Sequence, residues 1–192
     1  MQQILITCRE ASVAAILLLP VYLLIKKFRL WNWRKCSAYY LFAVYLAAVY
    51  AAVGLPDITY YRYHPHFNFI PFLYMFSDME TTILNVILFF PLGLLLPVIW
   101  QDYRKAWRTF LLGFCMTFSI ELLQIFTLRA TDVNDLMTNF LGTILGFCCW
   151  SLLKITFFRN HISDSSNELA VVFISAFGIM FFIYPFIIHF VT

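Results

Sequence analysis

Six apolar runs, each of about 20 residues, divide this chain and limit what it can fold into. A helix rising 1.5 Å per residue needs roughly 20 such residues to cross a hydrocarbon core about 30 Å thick. The runs are Ile4 to Ile25, Ala38 to Leu55, Thr81 to Trp100, Trp107 to Leu128, Asp132 to Phe157 and Leu169 to Phe190. Of the 192 residues, 62% are apolar and 12% charged. Soluble domains average about 45–50% and 25%. A bilayer offers no water to backbone polar groups, so long apolar runs must satisfy them within helices. The expected fold is therefore all-α: a polytopic integral membrane bundle of six transmembrane helices.

Lys and Arg set the expected orientation, because cytoplasmic loops are enriched in them. Ten lie on one side: Lys26, Lys27, Arg29, Arg34, Lys35, Arg104, Lys105, Arg108, Lys154 and Arg159. Arg9, Arg62 and Arg129 lie on the other. The ten-residue side is expected to be cytoplasmic, which puts both termini outside. The first run has its basic cluster on its C-terminal side, the reverse of a signal peptide, and reads as a span that stays. The net charge of +3 is confined to short loops, so no nucleic-acid footprint is present. The five cysteines are odd in number and form no C-x-x-C pair. They read as packing residues, and no metal or cofactor is expected.

The runs group into three parts. Residues 1–37 hold an N-terminal span and a cytoplasmic loop. Residues 38–157 hold a core of four spans, with an aromatic outer loop at residues 56–80. Residues 158–192 hold a polar linker and a last span. The outer loop is too aromatic for a free soluble loop and is expected to lie along the headgroup region. Its two histidines, His64 and His66, read as interfacial residues.

Polar residues are concentrated in one place. Glu121 and Gln124 share one face of the fourth span, with Thr117 a turn earlier. Glu121 is expected seven residues from the outer end, about 10 Å deep. Asp132, Asp135, Asn139, Gly142 and Gly146 are spaced by three and four, which is one face of the fifth span. Asp132 is also placed to cap that helix. Asn85 opens the third span, where Pro91 is expected to kink the helix and Gly93 to leave room beside it. The glycines permit close helix approach, so Asp135, Asn139, Gly142 and Gly146 are expected to face the helix carrying Glu121. Two readings stay open: hydrogen-bonded glue between helices, with Arg129 neutralising a carboxylate, or a ligand site. The ligand site would comprise Asn85, Glu121, Gln124, Arg129, Asp132, Asp135 and Asn139.

Four blocks in this order resemble the VanZ-like family: "HFNFIPF" (His66 to Phe72), "LNVILFFPLGLLLP" (Leu84 to Pro97), "SIELLQIF" (Ser119 to Phe126) and "RATDVNDLMTNFLGTILG" (Arg129 to Gly146). The resemblance covers roughly Ala38 to Phe157 and adds Asn68 and Pro71 to the motif residues named above. The N-terminal span lies outside it. It implies a cell-membrane protein of the kind associated with teicoplanin resistance in Gram-positive bacteria. The partners it implies are a membrane lipid and a teicoplanin-type lipoglycopeptide.

Three functions follow as expectations. The first is a non-enzymatic protein that lowers lipoglycopeptide access, using an outer-leaflet polar pocket that binds a lipid or the drug's acyl chain. The second is an intramembrane enzyme acting on an envelope lipid, with Glu121 or Asp135 as general base. The third is a small ion-coupled transporter using Glu121. The sequence carries no sign of the oligomeric state.

Overall fold

The computed structural model describes residues 2–55, 58, 63, 67–68, 70–72, 79–127, 131–153 and 166–191. Six helices are long and apolar enough to cross a membrane: Leu5–Arg29, Trp33–Val53, Met79–Ile99, Ala106–Gln124, Val133–Leu153 and Asn167–Ile187. The fold is all-α, as its apolar runs imply. The chain packs as two units, one of residues 1–61 with 165–192 and the other of residues 62–164. This division differs from the three-part grouping expected from the sequence, because the second helix packs with the first and last.

The first unit contains α1 (Gln2–Arg29), α2 (Trp33–Val53), α6 (Ser166–Gly178) and α7 (Tyr184–Val191), the last two joined by a π-helical turn at Ile179–Ile183. Asn32 caps α2 by accepting the Lys35 N–H at 2.8 Å. Gly54 ends α2 in a left-handed conformation (φ 61°), and the Leu55 N–H returns to the Tyr50 carbonyl at 3.3 Å. Leu18, Tyr22, Tyr39, Phe42, Leu46 and Val172 form the unit's interior. The Phe181 carbonyl, inside the π turn, accepts the Ile58 N–H at 3.2 Å.

The second unit contains α3 (Met79–Ile99), α4 (Ala106–Gln124) and α5 (Val133–Leu153). A short 3-10 turn, Gln101–Arg104, joins α3 to α4. Two residue pairs form a minimal parallel ladder, Phe67 with Thr131 and Asn68 with Asp132. Helix α3 continues without a break through Pro91. Helices α3 and α5 run parallel in very close contact. A Cβ at Gly142 would overlap the Val86 carbonyl, one at Gly146 the Phe90 carbonyl, and one at Gly93 the Thr143 carbonyl. Helix α4 lies antiparallel to α5, with Gly113 against the Thr143 side chain and Phe110 and Phe114 edge-on to Phe140.

Candidate functional site

The glycines divide the face of α5 differently from the expected arrangement. Gly142 and Gly146 meet α3, not the helix that carries Glu121. Asp135 also turns toward α3, where its Oδ1 accepts from Asn85 Nδ2 at 2.8 Å. Asn139 bonds α4, donating from Nδ2 to Thr117 Oγ1 at 3.1 Å. Periodicity fixes which residues share a face. A face of about 100° on a helix packed between two neighbours can serve both of them.

Helix α4 ends at Gln124, four residues earlier than the apolar run suggests. The Thr127 N–H and its hydroxyl both bond the Gln124 carbonyl at 2.9 Å, which closes the chain into a turn there. Glu121 is therefore three residues from its helix end, about 4.5 Å along the axis rather than 10 Å. Asn139 bonds one turn deeper, at the level of Thr117.

Glu121 is 4% exposed. Its Oε2 accepts the Asp132 N–H at 2.9 Å, and its backbone carbonyl accepts the Thr131 hydroxyl at 3.1 Å. Asp132 precedes the first residue of α5 and caps it, its Oδ1 accepting the Asn134 N–H at 2.8 Å. Its other oxygen accepts from Asn68 Nδ2 at 3.0 Å. Asn68 Oδ1 in turn accepts the Ile70 N–H at 3.3 Å. A continuous chain of polar contacts thus runs from the end of α4, through the start of α5, to Asn68 and Ile70.

Asn134 extends this chain. It is buried, and its Oδ1 accepts the Phe72 N–H at 2.7 Å. That bond holds the turn after Pro71, where Phe72 adopts a left-handed φ of 65°. Sequence reasoning missed Asn134 because it falls between the stripe positions 132 and 135. The available signal was an amide in the first turn of a capped helix, where side chains bond nearby backbone.

Two buried oxygens at this site have no hydrogen-bond partner among the described residues: Glu121 Oε1 and Asn139 Oδ1. Asn139 is 2% exposed. Native structures rarely leave such groups unsatisfied, and each such case needs an occupant or a reason. Gln124 is also buried, at the last position of α4. Arg129 lies outside the described residues. Of the expected ligand residues, Asn85, Glu121, Asp132, Asp135 and Asn139 are linked through α5 or its N-cap, and Asn68 joins them through Asp132.

The fold and this polar start of α5 define a multi-pass helical membrane protein. Residues 41–154 match the VanZ/LLP1 family, and the chain belongs to that family. It is 30% identical over 120 residues to Protein VanZ of Enterococcus faecium, covering 61% of this chain and 70% of that protein. No solved structure matches. The family match includes most of α2 and all of α3 to α5, and therefore the whole polar chain.

Proposed function

We propose that this protein lowers susceptibility to teicoplanin-type lipoglycopeptides through a polar site around Glu121 that binds a membrane lipid or the drug's acyl-bearing portion. The observation that supports this reading is the pair of buried acceptors, Glu121 Oε1 and Asn139 Oδ1, left without donors. An unsatisfied buried acceptor costs about 1–3 kcal/mol, more when charged, and a bound ligand's donor offsets that cost. Hydrogen-bonded glue alone would leave both oxygens paired. The excess of Lys and Arg at the opposite ends of these spans favours an outer-leaflet location, where a lipoglycopeptide first meets the membrane.

The test is antibiotic susceptibility in a sensitive Gram-positive host, comparing empty vector, wild type, Glu121→Gln and Asp135→Asn at matched membrane expression. Wild type is expected to protect against teicoplanin and much less against vancomycin, and both variants are expected to lose protection. Equal protection against the two drugs would remove the lipid tail from the explanation. Protection retained in both variants would return the cluster to a structural role.

A second reading has its own observation. One oxygen of Glu121 is fixed by Asp132 N–H while the other is left without a partner, which is how a positioned general base is held. On that reading the protein modifies an envelope lipid, and its expression changes the lipid profile of the host. An unchanged profile under strong expression excludes it.

A further inference from the structure

The chemistry of the two unpaired oxygens restricts what can bind at them. Glu121 Oε1 and Asn139 Oδ1, about one helical turn apart, are both buried without a hydrogen-bond partner among the described residues. Asp135 and Asp132 both lie close enough to act electrostatically on Glu121. The described basic residues of this unit, Arg104, Lys105 and Arg108, lie at the far end of α4, 13 residues or more before Glu121. Along a helix that is about 20 Å. Even with Arg129 counted, residues 121–135 hold three carboxylates against one guanidinium. A carboxylate brings no donor to these oxygens, and neither does an acyl chain.

We propose that Glu121 binds a primary ammonium on the ligand's polar head, and that the site discriminates against quaternary ammonium groups. This deepens the reading given above and rests on it, since it assumes that a ligand occupies the site. A primary ammonium supplies three N–H donors and a positive charge. One of its N–H groups can satisfy Glu121 Oε1, where a trimethylammonium has no donor to offer.

The arrangement also determines what Glu121→Gln does. Oε2 is held by the Asp132 N–H, so a glutamine must turn its carbonyl there and put its NH2 in place of Oε1. The substitution keeps the cap and changes that position from accepting to donating.

The experiment uses the purified full chain in detergent micelles, followed by thermal unfolding on tryptophan fluorescence. Phosphatidylethanolamine and phosphatidylcholine with identical acyl chains are added in turn. A glycopeptide with a free primary amine and its amine-acetylated form are tested in parallel. For wild type, at least one free-amine probe is expected to raise the midpoint by about 3 °C or more at excess, while its amine-blocked counterpart does not. A response to phosphatidylethanolamine identifies a lipid headgroup as the source, and a response to the free-amine glycopeptide alone identifies the drug.

Glu121→Gln is expected to abolish the difference. Asn139→Asp, which adds a carboxylate, is expected to widen it, and this comparison stands even if Glu121→Gln folds poorly. Equal shifts with free and blocked amines in wild type, as when only water meets these oxygens, overturn the proposal. Discrimination without protection against teicoplanin leaves the proposal standing and removes the resistance reading. Protection without discrimination does the reverse.

Discussion

Glu121 Oε2 accepts the backbone N–H of Asp132 at 2.9 Å, so the side chain near the end of α4 satisfies the residue that caps α5. The contact joins two helices through one buried acceptor. Glu121→Gln retains an oxygen for that N–H and is expected to change stability by no more than about 1 kcal/mol. Glu121→Ala leaves the N–H unsatisfied and is expected to cost about 1–3 kcal/mol. Thermal unfolding of both variants in the same detergent separates the two cases. Equal losses would mean that the charge matters and the acceptor does not.

The α3–α5 contact predicts a sharp contrast between glycines. Ala at Gly93, Gly142 or Gly146 would place Cβ against the backbone of Thr143, Val86 or Phe90, which cannot rotate away. Each is expected to destabilise by about 1–3 kcal/mol or more through overpacking. Gly178 has nothing within 4 Å of a built Cβ. Gly178→Ala is therefore expected to be neutral or to stabilise by up to about 1 kcal/mol through helix propensity. Unfolding midpoints of the four variants check the contrast. A harmless Gly142→Ala would show that α3 and α5 pack less closely than the overlap with Val86 requires.

Much of this was legible in the sequence, and the rest was hidden for identifiable reasons. Six spans follow from the length of the apolar runs, since a bilayer leaves few alternatives to a helix. Asp132 was readable as a cap from its place before an apolar stripe. The end of α4 was not readable, because the run stays apolar past Gln124 and the turn bonds of Phe126 and Thr127 close the helix there. Periodicity put Gly142 and Asn139 on one face, yet it cannot say that α3 takes the glycine and α4 the asparagine. Asn68 bonds Asp132 across 64 residues, and no local pattern encodes a pairing that distant.

Leu30 tests a local strain. It links α1 to α2 with a φ of 53° and is 90% exposed. A left-handed conformation costs a branched side chain about 1–2 kcal/mol, and glycine adopts it without strain. Glycine also loses more backbone freedom on folding, which takes back about 0.5–1 kcal/mol. Leu30→Gly is expected to raise stability by up to about 1 kcal/mol, read as a higher unfolding midpoint. A lower midpoint would show that the exposed leucine makes compensating contacts with the surrounding lipid or detergent.

Glu168, in the first turn of α6, carries the last prediction. Its Oε1 meets Lys35 Nζ of α2 at 2.5 Å, and its Oε2 accepts the Tyr39 hydroxyl at 2.6 Å. Lys35 and Glu168 are 9% and 7% exposed, so the pair is buried rather than a surface contact. Breaking such a pair leaves one charge without compensation and typically costs about 3–5 kcal/mol. Lys35→Met is expected to fall in that range, because the Tyr39 hydroxyl alone cannot neutralise the carboxylate. Glu168→Gln in the Lys35→Met background removes the stranded charge and is expected to recover part of the loss. The double-mutant cycle therefore gives a coupling energy that simple addition of the single losses would miss. Strict additivity would show that α2 and α6 are held by the apolar contacts around Phe42 and Val172, with the ion pair only accompanying them.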